Sequence, residues 1–305
     1  MTRSYDDIHH LASAPVVVGV DGSDADELAL DWAAATAARR GREVRIVHGM
    51  SLEGLVRSYG RADQWVAPTL DAIRDHASAL VERSVERIRQ AQPGIRVRAQ
   101  LYESAAAGLL VRESAHANLL VLGRHGEAGI GGQWGSILLT VTAHAKGSVV
   151  VVGADLDRSV QRQGPVVVGI DGSRVSEAAT AAAFEEASAR GAELVAVHIW
   201  SDLDIGWFEG VSDLIVPVTT IGETEREVLA ERLAGWQEKY PDVKVRRRLY
   251  SSGPIAVLAH WSGQAQLLVL GSRGRGGFLG MLLGSTSNTL VRQAKCPVMV
   301  VHPTE

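Results

Sequence analysis

Of the 305 residues only one, Cys296, is a cysteine. That excludes internal disulfides, dithiol redox chemistry and cysteine-built zinc sites, and it suits a reducing cytoplasm. No apolar run approaches the roughly 18 to 20 residues that span a bilayer. The opening stretch MTRSYDDIHHLASAP lacks the apolar core of a secretory leader, so retention in the cytoplasm is expected. An excess of one charge is also missing. Lys+Arg 31 against Asp+Glu 35 leaves a formal net charge of -4, with no surplus of cations for nucleic-acid phosphates or anionic lipid. Neither nucleic acid nor membrane is therefore an expected partner. Aromatic residues make up only 5%, and no aromatic ladder accompanies the run Arg246 to Arg248, which reads as a solvated strand. What remains, 46% hydrophobic and 22% charged, is the composition of a folded globular chain long enough for about two domains.

The chain repeats itself. Pro15 to Ser23 reads PVVVGVDGS and Pro165 to Ser173 reads PVVVGIDGS, 150 residues later. His48 and His198 close matching strands, VRIVH and LVAVH, and LLVLG recurs ending at Gly123 and Gly271. Terminal apolar runs precede Gly153 and His302. These matches predict a tail over 1–14, a first domain over 15–152, a polar linker over 153–164 and a second domain over 165–302.

Within a copy, short β-branched runs alternate with helical stretches. Val16 to Val20 is apolar throughout, as expected of a strand buried on both faces. A helix follows from about Asp24, with Ser23 placed to cap it and Gly41 to end it; Ser173 and Gly191 are the counterparts. Strand-helix alternation of this kind predicts an α/β fold with a mainly parallel sheet flanked by helices in each copy. Ligands of such sheets sit beyond the carboxyl ends of the strands.

At one such end, Leu267 to Ser287 reads LLVLGSRGRGGFLGMLLGSTS. Glycines there let backbone N–H groups approach an anion, and the helix expected near Ser285 would present unpaired donors. The pattern reads as a phosphate cradle without the lysine of a Walker A loop. A turn that merely packs close to the sheet is the alternative. Asp171, at the end of an apolar strand, is placed to accept from a sugar hydroxyl; its alternative role is a helix N-terminal charge.

The spacing Gly271, Gly274, Gly284, Ser285, Ser287 matches G-x2-G-x9-G-[ST]-x-[ST]. With the aspartate after the first strand, it resembles the universal stress proteins in their tandem form. That resemblance implies two Rossmann-like five-stranded domains that bind ATP, alone or with Mg²⁺, in a stress or growth-state regulator. Carried over by position, Asp171 would hold the ribose and the backbone of Ile199 would meet the adenine. Gly271, Arg273, Gly274, Gly284, Ser285 and Ser287 would surround the phosphates and ribose. Gly49 is the first-copy counterpart of Ile199.

Copy one departs from the pattern. Asp21, Gly123, Gly126, Gly135 and Ser136 are retained, but eight residues instead of nine separate Gly126 from Gly135, and Leu138 takes the second hydroxyl position. His125 stands where copy two has Arg273. The connections Gly49 to Pro68 and Ile199 to Thr219 are long enough to cover a nucleotide or meet a partner. His48 and His198 are expected to pack or hydrogen-bond, and Cys296 to be a buried small hydrophobe.

The expected function is therefore an ATP-dependent regulator with an as yet undefined protein partner. The apolar terminal strands predict an internal pseudo-dimer of the two domains, with a homodimer of chains as a further pairing. No acid-base residue or P-loop lysine stands near the glycine turn, so no catalytic residue is assigned and at most a slow ATPase is expected. A ligand-independent protective protein is the remaining alternative, against which the intact second-copy pattern argues.

Overall fold

The computed structural model describes residues 13–53, 57, 66–124, 133–153, 163–199, 218–274 and 283–303. The chain divides into two compact units, the break falling between Asp155 and Leu156. The first contains β1 (Val16–Gly19), α1 (Asp24–Arg40), β2 (Val44–Gly49), α2 (Val66–Ala91), β3 (Val97–Tyr102), α3 (Ala106–Ser114), β4 (Leu119–Arg124), α4 (Gln133–His144) and β5 (Val149–Gly153). The second contains β6 (Val166–Ile170), α5 (Arg174–Arg190), β7 (Leu194–Ile199), α6 (Val218–Lys239), β8 (Val245–Tyr250), α7 (Pro254–Ser262), β9 (Leu267–Gly271), α8 (Ser285–Gln293) and β10 (Val298–Val301). The two units thus repeat one element order.

Strand order is β3-β2-β1-β4-β5 in the first unit and β8-β7-β6-β9-β10 in the second. All the pairings described within a unit are parallel. Each chain segment winds outward from its first strand for two strands and then returns to the other side. The reversal lies between β1 and β4, and between β6 and β9. At that point neighbouring turns leave the sheet in opposite directions and open a crevice beyond the strand ends.

The valine-rich central strands are buried on both faces because helices cover both sides of the sheet. The outer strands β3 and β8, VRAQLY and VRRRLY, keep charged or polar side chains in solvent, which blunts an open edge against unwanted pairing. Gly41 and Gly191 end α1 and α5 in the left-handed region, φ 63° and 59°. Ser173 caps α5 by accepting from the N–H of Ser176 at 3.2 Å. Ser23 differs from expectation: its side chain makes no cap bond. Leu70, Ala77, Leu80 and Ile88 line the buried face of α2. Leu52, Val66 and Leu70 form a small separate core, with Met50 and Ile73 against it.

The Nδ1 atoms of His48 and His198 each lie 2.8 Å from a carbonyl at the end of the neighbouring strand, Val20 and Ile170. Both imidazoles therefore tie the first two strands of a unit together. Cys296 is buried, and its burial pushes the thiol up to about 12, out of the reactive range. Among the described residues no helix is long and apolar enough to cross a membrane.

Candidate functional site

In the second unit two strand ends converge. Asp171 follows β6 on a turn where Gly172 takes φ +84°, a backbone angle that disfavours a side chain. One carboxylate oxygen of Asp171 accepts from the N–H of Ser173 at 2.8 Å, and this local bond orients the side chain. The other oxygen reaches the glycine turn after β9. A methyl group placed on Gly274 would lie 2.6 Å from Oδ2 of Asp171. A side chain at 274 would therefore have to push this carboxylate away from the turn.

The start of α8 packs beside the same turn. The N–H of Gly284 donates to Ser272 O at 2.8 Å, and the hydroxyl of Ser287 donates to Gly271 O at 2.7 Å. Ser287 is buried, so its proton secures α8 to β9 and is committed inside the protein. The outward donors at this corner are the first-turn N–H groups of α8, which an α-helix leaves without internal partners, and the exposed hydroxyl of Ser285. Arg273 is exposed on the turn, and Ile199, the last residue of β7, is 8% exposed. The corner thus combines a carboxylate, a close-approach glycine and a positive helix end, a set suited to a sugar linked to an anionic group.

Gly271 has a different use. A methyl there would meet Val175 at 2.9 Å, so this glycine lets α5 pack onto β9. Gly123 does the same more stringently, because a methyl would lie 2.7 Å from the backbone oxygen of Ala25 in α1. At Gly49 a methyl would lie 2.9 Å from Ser104 O, so β2 ends directly against the turn after β3.

In the first unit Asp21 repeats the Asx-type turn, accepting from Ser23 N at 2.9 Å. Gly135 and Ser136 lie in the first turn of α4, whose span is Gln133–His144, whereas Gly284 immediately precedes α8. His125 and Gly126 lie outside the described residues, as do residues 54–56, 58–65 and 200–217 of the long connections.

Three neighbours escape sequence reasoning. Arg232 of α6 donates to Gly172 O at 3.1 Å and lies 3.8 Å from Glu177. Its guanidinium covers Gly172, where the first unit has Leu80 near Gly22. Sixty residues of chain separate Arg232 from the turn, and no motif spans them. Ser176 Oγ accepts from the N–H groups of Asp171 and Gly172 at 3.2 and 3.4 Å. Asp26 takes that place in the first unit, with Oδ2 2.9 Å from Asp21 N and 2.7 Å from Gly22 N. Burial, and then the adjacent Asp21 charge, raise the Asp26 carboxyl to about 7. Aligning DGSDAD with DGSRVS pairs Asp26 with Ser176, which was the available signal.

A doubled α/β unit with its polar corner at the strand reversal defines a class, tandem proteins with Rossmann-like domains. The family is equally definite: residues 13–153 and 164–302 each match the universal stress protein family, and the chain belongs to it. A universal stress protein of Mycolicibacterium smegmatis is 38% identical over 292 residues, covering 94% of this chain and 97% of its own. One from Mycobacterium tuberculosis strain H37Rv is 37% identical over 305 residues, covering 95% and 97%. The crystal structure of a universal stress protein from Archaeoglobus fulgidus superposes with a TM-score of 0.68 at 20% identity, over 95% of this chain and 98% of that one, a likeness of fold.

Proposed function

We propose that the second domain binds ATP at the corner between Asp171 and Gly274, and that occupancy regulates what the chain associates with. The observation that carries this reading is the close approach of the Asp171 carboxylate to the turn at Gly274, where an added methyl would lie 2.6 Å from Oδ2. Asp171 would take a ribose hydroxyl, the backbone at Ile199 the base, and Gly274, Arg273, Ser285 and the first N–H groups of α8 the phosphates. Mg²⁺ would accompany the nucleotide as its counter-ion. Ser287 and Gly271 serve the site by fixing where α8 begins. A cytoplasmic location accords with the lone buried Cys296.

The first domain keeps Asp21 and its turn, and we assign it a weaker site. Calorimetric titration of nucleotide-stripped protein is expected to resolve a tight and a weak or absent second event. A bond to a charged group is worth about 1.5 to 3 kcal/mol, so Asp171→Ala should weaken the tight event by roughly 10- to 150-fold. Unchanged affinity in a variant with intact circular dichroism would remove the assignment.

A further inference from the structure

One peptide group in the second unit is held from both sides. Its carbonyl, Gly172 O, accepts from Nη1 of Arg232 at 3.1 Å, and its N–H, on Ser173, donates to Oδ1 of Asp171 at 2.8 Å. The group is planar, so an arginine that fixes the carbonyl also fixes the direction of the N–H. Gly172 stands at φ +84°, where glycine tolerates either face of the following peptide, and a turned-over plane would aim its oxygen at the carboxylate instead. The guanidinium is charged, so its bond to the carbonyl polarises the peptide and makes the N–H a stronger donor. Ser176 Oγ holds the two preceding N–H groups, of Asp171 and Gly172, but neither bond reaches this plane. The first unit keeps the carboxylate half of the arrangement, with Ser23 N–H donating to Oδ1 of Asp21 at 2.9 Å and Gly22 at φ +91°. Leu80, not an arginine, lies over that glycine, 3.8 Å from an added methyl.

We propose that Arg232 is a positioning residue of the second-domain site, which sets through the Gly172–Ser173 peptide how strongly that site prefers ribonucleotides to their deoxy forms. With the peptide held, the Asp171 carboxylate is aimed to accept from a ribose hydroxyl. With the peptide free to turn, the carboxylate loses its orienting bond and that one increment of affinity falls, while the contacts offered to phosphates at Gly274 and α8 stay. The arginine side chain is 37% exposed and its second partner, Glu177, stands 3.8 Å away, so water competes for the bond to Gly172 O and Arg232 tunes the site instead of building it. This rests on the reading that Asp171 takes a ribose hydroxyl.

The test uses the full-length chain carrying Asp21→Ala, which weakens any first-domain event, titrated calorimetrically with ATP, 2′-deoxy-ATP and 3′-deoxy-ATP, with Arg232 and with Arg232→Leu, the residue the first unit carries. With Arg232, at least one deoxy form is expected to bind roughly 10- to 150-fold more weakly than ATP. Arg232→Leu should shrink that ratio by roughly two- to tenfold with little change in affinity for the deoxy nucleotide, and Arg232→Lys, which restores a donor, should recover part of it. An unchanged ratio in Arg232→Leu overturns the proposal. So does an equal loss for all three nucleotides, the mark of a direct phosphate contact or a damaged fold. A chain with Arg232 that binds ATP without discriminating against either deoxy form removes the ribose reading of Asp171, and one that binds no ATP removes the nucleotide reading itself; this inference falls with either.

Discussion

Three glycines of one sequence pattern do three different things. Gly123 is held against backbone atoms of Ala25, which cannot swing aside, so Gly123→Ala should cost about 1 to 3 kcal/mol in urea unfolding, the usual penalty of overpacking. Gly274→Ala should displace the Asp171 carboxylate and weaken ATP binding. Gly284 has ordinary contacts, its nearest neighbour 3.5 Å from an added methyl, so Gly284→Ala should fold normally. A loss of ATP affinity in Gly284→Ala, with unchanged thermal stability, would then report on the ligand alone. Asp26 adds a pH dependence. Its folded carboxyl titrates at about 7, against 3.8 as the ordinary value, so the folded state binds the proton more strongly. Stability from this group is full below about pH 4, is lost as pH rises to about 7, and stays lost above, with an amplitude of roughly 2 to 4 kcal/mol. Denaturation of Asp26→Ser against the parent chain across that range should show the difference growing with pH. A constant difference would contradict it.

The helices set the geometry of each corner through their starting points. Because α8 begins at Ser285 and is laced to β9, its unpaired N–H groups sit beside Gly274. In the first unit Gly135 and Ser136 already lie within α4, so the same residue types occupy a different part of the helix. One residue fewer in the connecting turn accounts for the sequence side of this difference. The preceding helices matter as well. Arg232 reaches from α6 to the carbonyl of Gly172, bracing the turn that carries Asp171. Its bond is partly solvated and worth about 0.5 to 1.5 kcal/mol at most, so Arg232→Ala should weaken ATP binding by roughly two- to tenfold. Affinity unchanged in that variant would show that the turn orients Asp171 unaided.

Each unit has a sheet with helices on both faces and an aspartate turn at the end of its first strand, the frame on which the proposed nucleotide reading rests. The final strands β5 and β10 are runs of valine with one methionine at the border of their own unit's sheet. Such edges invite pairing. Separately expressed halves, 1–155 and 156–305, are expected to associate with each other or with themselves, as sedimentation would reveal. Soluble, non-associating monomers would argue against the pseudo-dimer. Turnover of ATP should be on the order of one per minute or slower, since the sequence from Gly271 to Gly284 holds no lysine and the carboxylate beside Gly274, Asp171, is assigned to the ribose. Steady-state hydrolysis above about one per second would contradict a regulatory reading.

The repeat, the α/β alternation, the parallel sheets and the aspartate-glycine pattern were legible in the amino-acid order, because apolar periodicity and glycine spacing are local properties. The expected strand Val16 to Val20 and the helix from Asp24 to Gly41 agree with the observed elements to within a residue. Contacts between segments far apart in the chain were decided by folding. That Gly274 must admit Asp171, that Gly123 must admit Ala25 and that Arg232 must cover Gly172 depends on which strand ends become neighbours at the reversal of the sheet. The unlike protonation of Asp26 has the same origin, since an aspartate acquires a neutral-range titration only once tertiary packing strips it of water beside another carboxyl.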